Sequence, residues 1–224
     1  MSSTLRPVLD EDAVWAAIDR ERTSLADLLD DLREEEWDVP SLCAGWRVRE
    51  VAAHLALAHT RAGTALTAML RARGSFDRMV RDTALRHAAA PPAQLAGEIR
   101  AMVGSRRRAP GITHLEPLLD VLVHGQDIAI PLGRTRPMPQ DPAVAAATRV
   151  WTTPWPLSTA FSCRRRLRGL ELVATDVDWR AGAGERVEGP IEVLLLLLTG
   201  RTAAALPRLD GPGATRLHAA TDAS

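Results

Sequence analysis

Leu118-Leu119-Asp120-Val121-Leu122-Val123-His124-Gly125-Gln126-Asp127-Ile128 is an apolar run interrupted by two aspartates and a histidine. Glu116-Pro117 ahead of it suits a first helical turn, where a missing N–H costs nothing, and Pro131 ends the pattern, so a helix is predicted from 116 to about 131. On that helix Asp120, His124 and Asp127 stand at i, i+4 and i+7, one stripe of its surface. A carboxylate or imidazole turned into an apolar interior costs on the order of several kcal/mol unless it is paired or holds a cation. The spacing admits two readings. One is a solvated stripe or a buried Asp–His hydrogen bond; the other is two metal ligands one turn apart, Asp120 and His124, with Asp127 orienting the imidazole from behind.

Upstream, Val14, Trp15, Ile18, Leu25, Leu28, Leu29 and Leu32 recur at the helical period, which predicts a first helix over about 12–32. Pro40 to Trp46 carries turn residues. A second helix is predicted from Val48 to near Gly74 through Val51, Leu55, Ala58, Ala62, Leu66 and Met69. His54 shares the face of Val51, Leu55 and Ala58, so it is expected to point inward. A third helix opens after Pro91-Pro92, while 72–82 is read as a loop. Four helices without an intervening strand predict an up-and-down bundle. A lone inward histidine is usually structural, but His54, Asp120 and His124 together make the three nitrogen and oxygen donors of a catalytic zinc site that keeps one position open.

Beyond Pro137 the pattern changes. A connector helix is expected within 138–150. Leu170 to Thr175 and Val177 to Arg180 read as two strands, followed by the Gly182-Ala183-Gly184 turn, and Pro190 to Thr199 is a helix punctuated by Pro before and Gly200 after. The expected fold class is therefore α+β, with a metal-binding helical bundle over 1–137 and a small α/β domain over 151–224. His218 is expected in a C-terminal tail, and Arg201 to cap the last carbonyls of the preceding helix.

The 224 residues are 46% hydrophobic and 25% charged, which fits a folded globular chain. The 28 basic and 28 acidic side chains cancel, leaving no charge argument for nucleic acid. Every basic residue is Arg and Tyr is absent, which removes lysine Schiff-base and tyrosine chemistry. Two cysteines, Cys43 and Cys163, are too few for a disulfide scaffold, and Met1–Asp12 carries no secretory pattern, so a reduced cytoplasmic setting is expected. The longest apolar run, Val193–Leu198, is about a third of the ~20 residues a membrane helix needs, so no membrane partner is expected. Cys43 precedes the second helix and is read as a small buried hydrophobe, although it stands close enough in sequence to approach His54.

Three stretches together resemble the mycothiol-dependent maleylpyruvate isomerase family, whose N-terminal domain is a DinB-like metal-binding four-helix bundle. They are Leu42-Cys43-Ala44-Gly45-Trp46-Arg47-Val48-Arg49-Glu50-Val51-Ala52-Ala53-His54-Leu55, then Asp120 to Ile128, then the Leu-rich Ile191 to Arg201 with Ala174-Thr175-Asp176 and Gly189-Pro190 before it. The resemblance implies that His54, Asp120 and His124 bind a divalent metal, zinc above all. It places at Asp120 a residue that is often Glu in the family, and it makes Arg201 an active-site group that meets a substrate anion. It also implies mycothiol, or a similar low-molecular-weight thiol, as cosubstrate. The expected activity is a thiol transfer to, or a cis–trans isomerisation of, a small electrophilic and anionic substrate. Two further readings stand beside it: a non-catalytic metal- or ligand-binding protein of regulatory role, and a metal hydrolase that works without thiol.

Overall fold

The computed structural model describes residues 9–59, 76–108, 112–153 and 163–222. These are mostly helical with one three-stranded sheet, an α+β chain. They divide into two compact units, one spanning Glu11–Arg136 and one running from Pro137 onward, with Leu9 and Asp10 assigned to the second.

The first unit is a helical bundle. Helix α1 (Glu11–Asp30) buries Val14, Trp15, Ala17, Ile18, Leu25, Ala26 and Leu29, the period read from sequence, against α4 (Pro92–Arg100) and α5 (Leu115–Ala129). Each fully buried Leu or Ile removes enough apolar surface from water for ~1.5–3 kcal/mol, so this seam alone holds α1 in place. Several of its inward polar groups are paired. The Arg136 guanidinium donates to Glu21 Oε2 at 2.6 Å and to Ser24 Oγ at 2.7 Å, and Arg22 donates to the Met102 carbonyl at 2.8 Å. Gly125 is what lets α5 meet Arg136, because a Cβ there would lie 2.6 Å from the guanidinium Nε.

Helix α2 (Val48–Ala56) packs on α3 (Phe76–His87), α4 and α5, and continues as a short 3-10 turn over Leu57–His59. The part of the second helix expected over 60–74 lies outside the described residues. Helix α3 corrects the reading of 72–82 as a loop: Phe76 to Asp82 belong to a helix that runs on to His87. Phe76, Met79, Val80 and Ala84 stand at i, i+3, i+4 and i+8, one apolar stripe between the charged side chains; Ala84 is buried and the helix packs on α2.

In the second unit, α6 (Gln140–Thr152), expected as a connector, packs on α8 (Ile191–Leu198), whose Ile191 and Val193–Leu198 are all buried. The sheet has the order β2-β1-β3: β1 (Leu170–Ala174), antiparallel to β2 (Arg180–Gly182) and parallel to β3 (Glu185–Gly189). Short α7 (Cys163–Arg166) precedes the sheet, and α9 (Thr202–Ala205) and α10 (Pro212–Asp222) follow it. Three expectations shift. The second strand begins at Arg180, not Val177, because the chain turns over 175–178, where Asp176 Oδ1 accepts the Ile191 N–H at 2.8 Å. The Gly182–Gly184 turn joins β2 to β3, a strand not foreseen; Gly184, at φ 132°, sits where a Cβ would lie 2.1 Å from the Gly169 carbonyl. His218 lies on α10, not in a tail.

Candidate metal centre

The loop that leads into α2 fixes where His54 starts. Pro40 and Arg47 form an isolated antiparallel bridge, Trp46 N–H donates to the Cys43 carbonyl at 3.0 Å, and Gly45 takes φ 76°, closing a tight turn. The Arg47 N–H then donates to Glu50 Oε2 at 2.7 Å and its guanidinium to Glu50 Oε1 at 2.6 Å, satisfying donors at the helix N-terminus. Burial raises the Glu50 pKa, but these bonds from Arg47 outweigh it and hold the carboxyl below its ordinary value. One and a half turns on, His54 is half-buried with its ring tilted against Trp46, centroids 5.6 Å apart.

Helix α5 brings the other donors. The His54 and His124 rings meet edge-on at 4.9 Å and 77°, and one ligand atom from each of His54, Asp120 and His124 lies within 4.8 Å of the other two. Atoms bound at 2.0–2.2 Å to one tetrahedral ion stand about 3.4 Å apart, so side-chain adjustment closes the set without moving a helix. Asp127 is fully buried, and its Oδ2 lies 2.8 Å from His124 Nδ1. That bond leaves Nε2 as the ring nitrogen free of Asp127, the arrangement in which a carboxylate behind a histidine sets its tautomer and aims it at a metal.

The electrostatics suit a cation. Burial, then the neighbouring His124, pushes the His54 imidazole down to about 4, so it is neutral and its lone pair is available. For His124 burial works against charge, but the bonds to Asp127 and Cys43 and the charges of Asp120 and Asp127 win and raise it to about 10. In the metal-free protein the pair therefore carries one positive charge, on His124, whose extra proton a divalent ion would displace. Two imidazoles and a carboxylate are borderline N/O donors of the kind that hold zinc, so the residues present fit a divalent ion.

Sequence reasoning undervalued the loop. Cys43, read as a buried hydrophobe, is half-buried, donates its thiol to Asp127 Oδ2 at 3.0 Å and lies 3.7 Å from His124 Nδ1. It forms with His124 and Asp127 a second cluster of metal-capable donors that shares His124 with the first. The neighbouring Leu42 N–H donates to the Asp127 carbonyl at 3.2 Å, so the loop is tied to α5 through backbone and side chain. The available signal was the loop's position immediately before the helix that carries His54.

Arg201 directly follows α8: its N–H donates to the Leu196 carbonyl at 2.8 Å and its guanidinium to the Thr199 carbonyl at 2.7 Å, the capping contacts its position predicts. His87 pairs with Glu98 at 2.6 Å, and Cys163 is buried.

Residues 18–116 match the model of the mycothiol maleylpyruvate isomerase N-terminal domain. That stretch of the helical unit is similar to the family's N-terminal domain. The match includes Cys43 and His54 and stops just short of Asp120. Two crystal structures, of the mycothiol-dependent maleylpyruvate isomerase and of a histidine-to-alanine mutant of it, resemble the chain at a TM-score of 0.63 and 14% identity, covering 91% of this chain and 93% of theirs. At that identity the likeness to the isomerase is one of fold, and it extends through the second unit as well. No curated relative matches the chain. Among the described residues no helix is long and apolar enough to cross a membrane.

Proposed function

We propose that this chain is a metal-dependent enzyme that activates a low-molecular-weight thiol, mycothiol, for addition to or isomerisation of a small anionic electrophile. The observation that carries the proposal is the convergence of His54, Asp120 and His124, with Asp127 placed to hold His124 by its far nitrogen. A divalent ion held there, most simply zinc, supplies a Lewis-acid position at which a thiol loses its proton at neutral pH. The protein's own residues do the rest. His54 and His124 present neutral nitrogens, Asp120 contributes negative charge, and Asp127 keeps the His124 ring from rotating. Arg201 holds a substrate carboxylate with a guanidinium that stays charged at every working pH.

Among the described residues no fourth His, Cys, Asp or Glu joins the His54–Asp120–His124 set. Three protein ligands with a position left for solvent or substrate favour catalysis, whereas a fourth protein ligand would favour a structural site and the non-catalytic reading. The test is metal analysis of the purified protein, followed by a screen of electrophilic carboxylates with and without mycothiol. Stoichiometric zinc and turnover only with thiol are expected. Turnover without thiol would point to hydrolysis. Zinc without turnover of any electrophile would point to the binding-protein reading.

A further inference from the structure

We infer that Cys43 is a positioning residue for the His124 imidazole, acting through Asp127: its thiol donates to the carboxylate oxygen that holds the ring. The inference rests on the reading of His124 as a metal ligand.

Asp127 is fully buried, and a buried carboxylate needs donors aimed at it. Its Oδ2 meets two, His124 Nδ1 at 2.8 Å and Cys43 Sγ at 3.0 Å. An ionised carboxylate has no proton to give, so both the ring and the thiol donate to it, and a ring donating through Nδ1 keeps Nε2 free for a metal. The thiol is not free to wander. Cys43 N–H donates to Ser41 Oγ at 3.1 Å, Ser41 Oγ donates to the Trp46 carbonyl at 2.9 Å, and the Leu42 N–H reaches the Asp127 carbonyl. A loop held in this way delivers its donor at fixed geometry and limits rotation of the carboxylate about its own axis. Trp46, four residues along the chain from Leu42, packs on the other histidine. The Ser41–Trp46 turn thus touches the supports of both imidazoles while contributing no ligand to the His54–Asp120–His124 set.

A positioning role and a ligand role for Cys43 separate under substitution. Zinc affinity is measured by competition with a chromophoric chelator on the full chain, with circular dichroism confirming the fold of each variant. Cys43→Ala is expected to weaken zinc binding by ~10- to 100-fold, as loss of a group behind a metal-bound histidine does, and Cys43→Ser, whose hydroxyl still donates, to stay within ~3-fold of wild type. Wild-type affinity in Cys43→Ala would overturn the inference. So would equal losses in Ala and Ser, because sulfur itself would then be what the ion requires. A second measurement needs no metal: the S–H stretching band of Cys43, isolated as the infrared difference between wild type and Cys43→Ser. Donation to a carboxylate predicts a red-shifted band that moves to higher frequency in Asp127→Asn, and a band indifferent to that change overturns the inference. If wild type binds no zinc, the metal reading fails by itself and the band still decides what Cys43 does.

Discussion

Polar groups in α5 and at the end of α8 teach different lessons about what a buried polar side chain means. In α5, Asp120, His124 and Asp127 interrupt an apolar helix in mid-course, where every backbone group already has its i–4 partner and no capping duty is left to explain them. At the end of α8 the last carbonyls lack such partners, and the arginines there meet that need: Arg166 donates to the Leu197 and Leu198 carbonyls at 3.0 and 3.1 Å and Arg201 to that of Thr199. A polar group with a backbone reason to be present says little about function. One without such a reason says much more.

That contrast can be broken at several points. The largest effect is expected in α2 and α5: His54→Ala with His124→Ala should abolish stoichiometric zinc binding, a loss well beyond ~100-fold, and should lower the melting temperature of the metal-free protein because buried Asp127 loses its His124 partner, with circular dichroism confirming that the variant still folds. Retained stoichiometric zinc would mean that the ion sits elsewhere. In α8, Leu195→Ala removes a fully buried side chain and should cost ~2–5 kcal/mol in denaturant unfolding with zinc affinity unchanged. A fall in zinc affinity of the folded variant would show that the two regions are not separable in this way. The smallest effect is expected at Arg201. Arg201→Lys keeps a cation at the helix end, so stability should hold, yet kcat/KM for an anionic electrophile should drop ~5- to 150-fold, or one to three kcal/mol, if the guanidinium grips a carboxylate at two points. Unchanged kinetics would leave Arg201 with the capping contacts alone.

The same contrast explains what could be read from the chain. Asp120, His124 and Asp127 were legible because an i, i+4, i+7 stripe of charge in an apolar run is local and costly, and His54 because its neighbours Val51 and Leu55 define a face. Strand β3 was not, because Glu185-Arg186-Val187-Glu188-Gly189 offers one apolar side chain and gains its ladder only from a parallel partner, β1, some fifteen residues earlier. Helix α3 was missed because its apolar stripe, Phe76, Met79, Val80 and Ala84, is short and interleaved with Arg78, Arg81 and Asp82. The part played by Cys43 escaped because it depends on the Asp127 carboxylate, eighty-four positions away, which only the folded chain brings within 3.0 Å.

X-ray absorption at the zinc edge of the loaded full-length protein tests the central claim most directly. Two imidazole nitrogens and a carboxylate oxygen at ~2.0–2.2 Å, with no sulfur, are what His54, Asp120 and His124 predict. A sulfur scatterer at ~2.3 Å in the loaded protein, without added thiol, would place Cys43 on the metal and contradict that assignment.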